Sequence, residues 1–360
     1  MKAAILRETN SPLTIEDISV AKPGPREVLI RTRACGVCHS DLHFIDAHYP
    51  APLPLVPGHE AAGVVEAVGE DVTAIRPGDH VVTCFSTFCG RCEFCVTGRL
   101  SLCIDRSTQR KKTEAPRIAL GETPLHQLLN VGGFAEQLLV HENGAVAIDK
   151  AMPFDRAALM GCAVVTGAGA VLNSADVKAG EHVAVIGCGG IGLAAINAAR
   201  IAGAARIIAI DPVPAKRALA EKLGATDSFD PGTDKLREAI VERTRGGVHH
   251  AIEAVGRIAT GELALSLLRR GGTATIVGMM PLGEKLGMRA MDLLAEKKLQ
   301  GSLMGSNRFP VDIPRLVDFY LAGRLDLDSV IAERIPLSRI NEAIDTLRTG
   351  EAARSVVMFE

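Results

Sequence analysis

The apolar positions of this chain follow two different rhythms. From residue 1 to about 160 they come in short alternating runs, such as Glu27 to Arg33 and Gly63 to Val68, broken by Gly, Pro and turn signals like Arg76-Pro77-Gly78-Asp79. Period-two alternation interrupted at short intervals predicts a compact, irregular β domain. From His182 the rhythm changes to continuous apolar runs followed by Ala-rich stretches with helical spacing. Strands are predicted at 182–186, 206–210, 226–229, 250–254, 273–277 and 299–304, and helices at 190–202, 214–223, 234–244, 260–269 and 289–297. Strands alternating with helices in this way describe a parallel, doubly wound sheet. After about residue 305 the texture is mixed, with helices predicted at 312–322 and 338–348 and a last strand from Ser355 to Phe359.

Composition narrows what such a chain can do. Its 360 residues exceed what one hydrophobic core usually organises, so two domains are expected. With 47% hydrophobic and 23% charged residues the chain has ample core material and no signature of disorder. A net charge of −2 gives no electrostatic reason to bind nucleic acid or an anionic membrane. The absence of Trp and the presence of only two Tyr argue against a base-stacking surface, which leaves a small molecule as the expected partner. The first residues hold no apolar stretch of export-signal length, so a cytoplasmic protein is expected.

The strand at 182–186 runs into Gly187-Cys188-Gly189-Gly190-Ile191-Gly192 and then an Ala-rich helix. Gly187, Gly189 and Gly192 thus form G-x-G-x-x-G between strand and helix, the context in which such glycines cradle a dinucleotide pyrophosphate. Asp211 ends the second strand, where a carboxylate would take the adenosine ribose hydroxyls and repel a 2′-phosphate, so NAD is expected over NADP.

Four of the nine cysteines, Cys89, Cys92, Cys95 and Cys103, fall in one stretch spaced C-x2-C-x2-C-x7-C. Four thiolates from one loop can close a tetrahedron around zinc and leave no position for substrate, which is the pattern of a structural site. Tetrahedral sulfur also suits an iron–sulfur cluster, and the spacing alone does not separate the two.

Three further segments carry metal-binding or titratable groups: Cys38-His39-Ser40-Asp41 with His43, His59-Glu60, and Cys162. In this order, with the four-cysteine loop and the glycine fingerprint, they resemble the zinc-dependent alcohol dehydrogenases of the medium-chain dehydrogenase/reductase family, over essentially the whole chain. The resemblance implies an α/β protein with a GroES-like, partly barrel-shaped catalytic domain over 1–163 and 302–360, and a Rossmann NAD-binding domain over 164–301. It implies two zinc ions per subunit, one held by the cysteine loop and a catalytic one held by Cys38, His59 and Cys162, with Asp41 and Glu60 outside the ligand set orienting it. The catalytic zinc would polarise an alcohol at the cleft between the domains. Ser40 would bond the substrate oxygen and His43 would pass its proton to solvent. Toward the cofactor the resemblance assigns His39 and Arg354 to the pyrophosphate, Lys216 to the adenosine ribose, Thr166 to the nicotinamide face, and Val277, Met279, Gly190 and Ile191 to the remaining contacts. Phe85, Phe134 and Leu303, with Met279, are expected around an apolar pocket for a primary aliphatic or aromatic alcohol. Cys35, Cys84 and Cys188 have no partner in the pattern and read as packing residues. A homodimer joined through the sheet edge near 299–304 is expected. Competing readings are a glutathione-dependent formaldehyde dehydrogenase, a non-catalytic NAD-binding sensor and a zinc-free quinone reductase.

Overall fold

The computed structural model describes residues 1–111, 113–350 and 354–360. Its chain divides into two compact units, one of residues 1–162, 308–322 and 331–360, the other of 163–307 and 323–330.

The first unit is built on a mostly antiparallel sheet. Strand Glu27–Gly36 is its centre, paired with Glu60–Val68 on one side, with Arg354–Met358 on the other, and with Gln137–His141 over its first half. His80–Thr83 and Ala145–Ala147 continue the sheet beyond Glu60–Val68, and Ile331–Pro336 lies parallel to the terminal strand. The alternation seen in the sequence is the alternation of buried and solvated faces: Val28, Ile30, Val65, Val81, Leu138 and Val357 all enter one core. Register aligns Gly36 with both Glu60 and Val356, which brings the two ends of the chain to the same few residues.

The second unit holds a six-stranded sheet in which every pairing is parallel. Its spatial order is Asp227–Phe229, Arg206–Ile210, His182–Ile186, Val248–Glu253, Leu268–Ile276, Lys298–Gly301. The first strand in sequence is therefore central, and the chain reverses direction of travel between it and Val248–Glu253. This is the doubly wound Rossmann topology, whose switch point opens a crevice at the carboxyl ends of those strands. Strands buried on both faces need continuous apolar runs, which is why Val183, Ala184, Val185 and Ile186 are all inside.

The predicted helices at 190–202 and 214–223 occur as Gly190–Ala202 and Pro214–Leu223. The last predicted strand of the sheet stops early. Lys298–Gly301 is followed by a turn in which Met304, Gly305 and Ser306 all have positive φ, so 302–304 cannot continue a ladder. Residues 323–330, in the tail expected to serve the first domain, pack with the second unit, where Asn197 Nδ2 donates to the Asp326 carbonyl at 3.2 Å and Arg200 donates to that of Arg324. One helical stretch, Phe154–Ser174, is long and apolar enough to cross a membrane, but 83% of its apolar window is buried inside the protein, as in a core helix.

Candidate functional site

Strand Glu27–Gly36 delivers Cys38 to the start of the helix His39–Ile45. Asp41, fully buried in that helix, organises what surrounds it. Its Oδ2 accepts the Cys38 N–H at 3.0 Å, and its Oδ1 accepts the Gly58 N–H at 3.0 Å and faces His59 Nδ1 at 3.0 Å. A carboxylate can only accept, so Nδ1 carries a proton, and Nε2 is the nitrogen whose lone pair the neutral ring would offer to a metal. That Nε2 is buried without a hydrogen-bond partner among the described residues. Cys38, His59, Glu60 and Cys162 each offer one ligand atom, all within 4.8 Å of one another and all buried.

The electrostatics of this group are those of a cation site. The thiol of Cys38 lies well below the usual range, chiefly through its hydrogen bond with Cys162 and against the pull of burial, while that same partner and burial push Cys162 well above it. The two sulfurs thus compete for one proton, which a divalent cation between them would displace. Burial alone would lower His59, but the Asp41 carboxylate outweighs it and raises the imidazole well above its ordinary value. Two sulfurs, one imidazole and a buried ring nitrogen without a hydrogen-bond partner among the described residues fit zinc. Cys162 is carried in a π-helical turn, Met160–Val164, a local widening of the kind that gathers at functional sites.

Glu60 is buried completely, and burial pushes its carboxyl up to about 7. Its oxygen is ion-paired with Arg354, which reaches it across Gly36. A Cβ on Gly36 would collide with the Glu60 carboxylate, so the empty side-chain position is what lets the pair form. Arg354, expected at the pyrophosphate, has its guanidinium 9% exposed and ion-paired through Nη2 with Glu60 beside the sulfurs, while its Nε has no hydrogen-bond partner among the described residues.

The second cluster is the loop of Cys89, Cys92, Cys95 and Cys103, whose sulfurs also lie within 4.8 Å of one another. Cys92 Sγ is 3.5 Å from Cys95 Sγ and 3.9 Å from Cys103 Sγ, and Cys89 Sγ accepts the N–H groups of Arg91 and Cys92 at 3.4 and 3.3 Å. Backbone amides aimed at sulfur stabilise thiolate, and the loop can therefore close around a metal without help from the rest of the chain.

Of the other expected residues in this unit, Ser40 and His43 are half-buried on the same helix as Asp41, and His39 is exposed. His43 Nδ1 lies 3.4 Å from His48 Nδ1, a neighbour that no spacing in the sequence marks. Burial first, and the imidazoles of His39 and His48 after it, lower the pKa of His43. The Phe85 ring stands edge-on to His59 at 5.8 Å and borders a cavity of about 400 Å³. Apart from Phe85 and Ile104 that cavity is polar, lined by Thr87, Arg106, Gln109 and Asn130 among others. Phe134 is a correction: it is fully buried in the core with Leu138 and Val357, and its N–H donates to the Pro57 carbonyl at 3.0 Å. Cys35 and Cys84 are buried, as packing residues should be.

In the second unit the glycine loop lies at the carboxyl end of His182–Ile186. Gly187 has φ of 93°, a Cβ on Gly192 would collide with the Gly187 carbonyl, and the space at Gly189 is open. The sharp turn, the close helix and the open approach are what a pyrophosphate needs, with Gly190 and Ile191 at the helix N-terminus behind it. Asp211 Oδ2 accepts the Cys188 N–H at 2.8 Å and Oδ1 accepts the Val213 N–H at 2.9 Å, so the carboxylate is held against the loop. Cys188 is buried, which pushes its thiol up to about 12. Lys216 is half-buried on Pro214–Leu223, and Val277 and Met279 follow the end of Leu268–Ile276, half-exposed. Thr166 is 3% exposed with its hydroxyl donating to Met304 Sδ at 3.3 Å, while Leu303 is 56% exposed.

Residues 24–150 match the profile of the alcohol dehydrogenase GroES-like domain, and residues 190–321 that of the zinc-binding dehydrogenases. The crystal structure of an alcohol dehydrogenase zinc-binding domain protein from Burkholderia ambifaria is 36% identical with a TM-score of 0.95, over 100% of this chain and 98% of that one. Benzyl alcohol dehydrogenase from Acinetobacter calcoaceticus is 32% identical, TM-score 0.94, over 100% and 99%. A putative zinc-binding dehydrogenase from Sinorhizobium meliloti, bound to NADP, is 30% identical, TM-score 0.81, over 99% of each chain. The buried sulfur and imidazole set, the glycine loop and these likenesses over the full length agree: the chain belongs to the zinc-dependent alcohol dehydrogenases of the medium-chain dehydrogenase/reductase family.

Proposed function

We propose that this protein interconverts a primary alcohol and its aldehyde, with NAD as hydride acceptor, a catalytic zinc on Cys38, His59 and Cys162, and a structural zinc on Cys89, Cys92, Cys95 and Cys103. The observation that carries the reading is the buried Nε2 of His59, without a hydrogen-bond partner among the described residues, on a ring that Asp41 holds by Nδ1 and that clusters with the sulfurs of Cys38 and Cys162.

When bound, zinc would polarise the alcohol oxygen and the nicotinamide would take the hydride. The chain's own residues do the rest. Asp41 keeps His59 in the tautomer that binds a metal, and Glu60 with Arg354 balances charge beside it. The Ser40 hydroxyl takes the alcohol proton and His43, whose lowered pKa keeps it neutral and able to accept, carries it outward. His39, exposed and able to donate a ring N–H, suits a pyrophosphate. Gly187, Gly189, Gly190, Ile191 and Gly192 cradle that pyrophosphate, Thr166, Val277 and Met279 border the nicotinamide, and Asp211 with Lys216 takes the adenosine ribose. Preference for NAD follows from Asp211, whose carboxylate would repel a 2′-phosphate. The relative from Acinetobacter calcoaceticus named for benzyl alcohol favours an aromatic alcohol within the primary class.

A homodimer belongs to the same proposal. Lys298–Gly301 is an edge strand, and Leu299, Leu303, Met291, Leu293 and Leu294 around it are 41 to 78% exposed, apolar surface that a second copy of the edge would cover.

The test is elemental analysis of the purified protein with NAD and NADP reduction followed over a panel of primary alcohols, benzyl alcohol included. Two zinc ions per chain and turnover with NAD are expected; iron, no metal, or metal without turnover on any alcohol would sink the reading.

A further inference from the structure

Glu253 is a buried carboxylate that the mechanism above does not use. It ends strand Val248–Glu253 in register with Ile186 and Ile276, and so lies at the switch point beside the glycine loop. It is fully buried, and no ion pair neutralises it among the described residues. Oε1 accepts three hydrogen bonds: from the Val255 N–H at 2.9 Å, the Gly256 N–H at 2.8 Å and the Thr260 hydroxyl at 2.7 Å. Oε2 has no hydrogen-bond partner among the described residues.

Burying a charge without a counter-ion is costly, and a neutral filler would pack as well if packing were the only need. What the carboxylate supplies is geometry. Charge-assisted bonds to two successive amides fix the turn after the strand. Gly256 sits in that turn with φ of 86°, where a Cβ would run into the backbone of Met279, and a Cβ on Gly278 would run into the Gly256 nitrogen. The turn is thereby wedged between its own carboxylate and the segment 278–279. Its exposed product is Val255, 41% accessible, whose Cγ2 lies 2.6 Å from where a Cβ on Gly187 would be. An apolar side chain is thus held on the rim of the glycine loop with open surface above it.

We propose that Glu253 is a positioning residue for the dinucleotide: through the Val255-Gly256 turn it holds Val255 at the distance from the glycine loop that the cofactor requires. The inference rests on the reading of that loop as the NAD site.

The test is fluorescence titration of the full-length, zinc-loaded protein with NADH, beside steady-state kinetics, for the wild type, Glu253→Gln and Thr260→Val. Glu253→Gln keeps the size and removes the charge; Thr260→Val removes one donor and leaves the carboxylate, and decides the matter should the first variant not fold. Glu253→Gln should raise the Kd for NADH about ten- to hundredfold, the scale of losing one or two charge-assisted bonds, and Thr260→Val by a smaller factor. The KM for NAD should rise in parallel, with the KM for alcohol unchanged and kcat not lowered. Unchanged NADH affinity in folded variants overturns the inference alone. So does a parallel fall of melting temperature, kcat and both KM-based efficiencies, which is the mark of a merely structural residue. A wild type that binds neither NADH nor NADPH overturns the dinucleotide reading as well, whatever the variants do.

Discussion

Arg354, in the last strand, is ion-paired with Glu60 across Gly36, so this strand is fastened to a carboxylate adjoining the buried sulfurs of Cys38 and Cys162. Both groups are buried, and removing one leaves the other uncompensated. Arg354→Leu should therefore destabilise the protein by about 3–5 kcal/mol in chemical denaturation, whereas the double change with Glu60→Gln recovers much of that loss. Equal stability of the single variant and the wild type would show that the pair carries no weight.

Asp41 determines which imidazole nitrogen of His59 is free. In Asp41→Asn the amide can present its N–H₂ to Nδ1 and draw the ring proton to Nε2, the wrong tautomer for a ligand. Affinity for the metal at Cys38, His59 and Cys162 should fall about 10–100-fold, read by competition with a chelator, while the cysteine-loop metal is retained. Loss of both metals together would mean that the fold, not the tautomer, had failed.

Cys95 is the most buried sulfur of the four-cysteine loop. Cys95→Ala opens the tetrahedron, and because metal binding here is part of folding the loop, the expected outcome is one metal fewer and a lower melting temperature. A variant that lost metal and kept the wild-type melting temperature would separate the cluster from stability.

Glu27 gives the protein an acid limit. Burial works to raise its carboxyl, but Arg110, the Gly24 amide and Arg117 outweigh it and bring it from 4.5 to about 2. Arg117 Nε donates to it at 2.8 Å and Arg110 Nε at 3.0 Å, tying the segment after the cysteine loop to the central strand. A carboxyl depressed in the folded state binds its proton more tightly in the unfolded chain. Its stabilisation is thus complete above pH 4.5 and is lost as pH falls toward about 2. Denaturation curves at a series of pH values should show Glu27→Gln less stable than the wild type at neutral pH, with the gap closing in that window. A gap that did not change with pH would rule the linkage out.

The Rossmann half was the more legible part of the chain. Gly187 to Gly192 and Asp211 are close in sequence because a phosphate loop is local: one strand, one turn and one helix suffice, and glycine leaves a mark that spacing reveals. The cysteine loop is legible for the same reason, with all four sulfurs within one stretch. Cys38, His59 and Cys162 are different. No spacing joins them, and it took resemblance to a family to group them before the register of Glu27–Gly36 with Glu60–Val68 and the turn at Met160–Val164 showed them together.

By itself, then, the sequence determined the elements whose cause is periodic or local: the parallel sheet, its helices, the glycine loop and the sulfur loop. Only the tertiary structure decided what depends on which residues meet across strands. It sent Phe134 into the core, its backbone bonded to Ala4 and Pro57 and its ring close against Gly58, and it turned Arg354 to Glu60, because Gly36 leaves the way between them open. It also set Glu253 behind Val255 at the switch point of the sheet. A side chain's type is written in the chain, but its partner is chosen by sheet order and register, which long-range pairing fixes and local pattern does not carry.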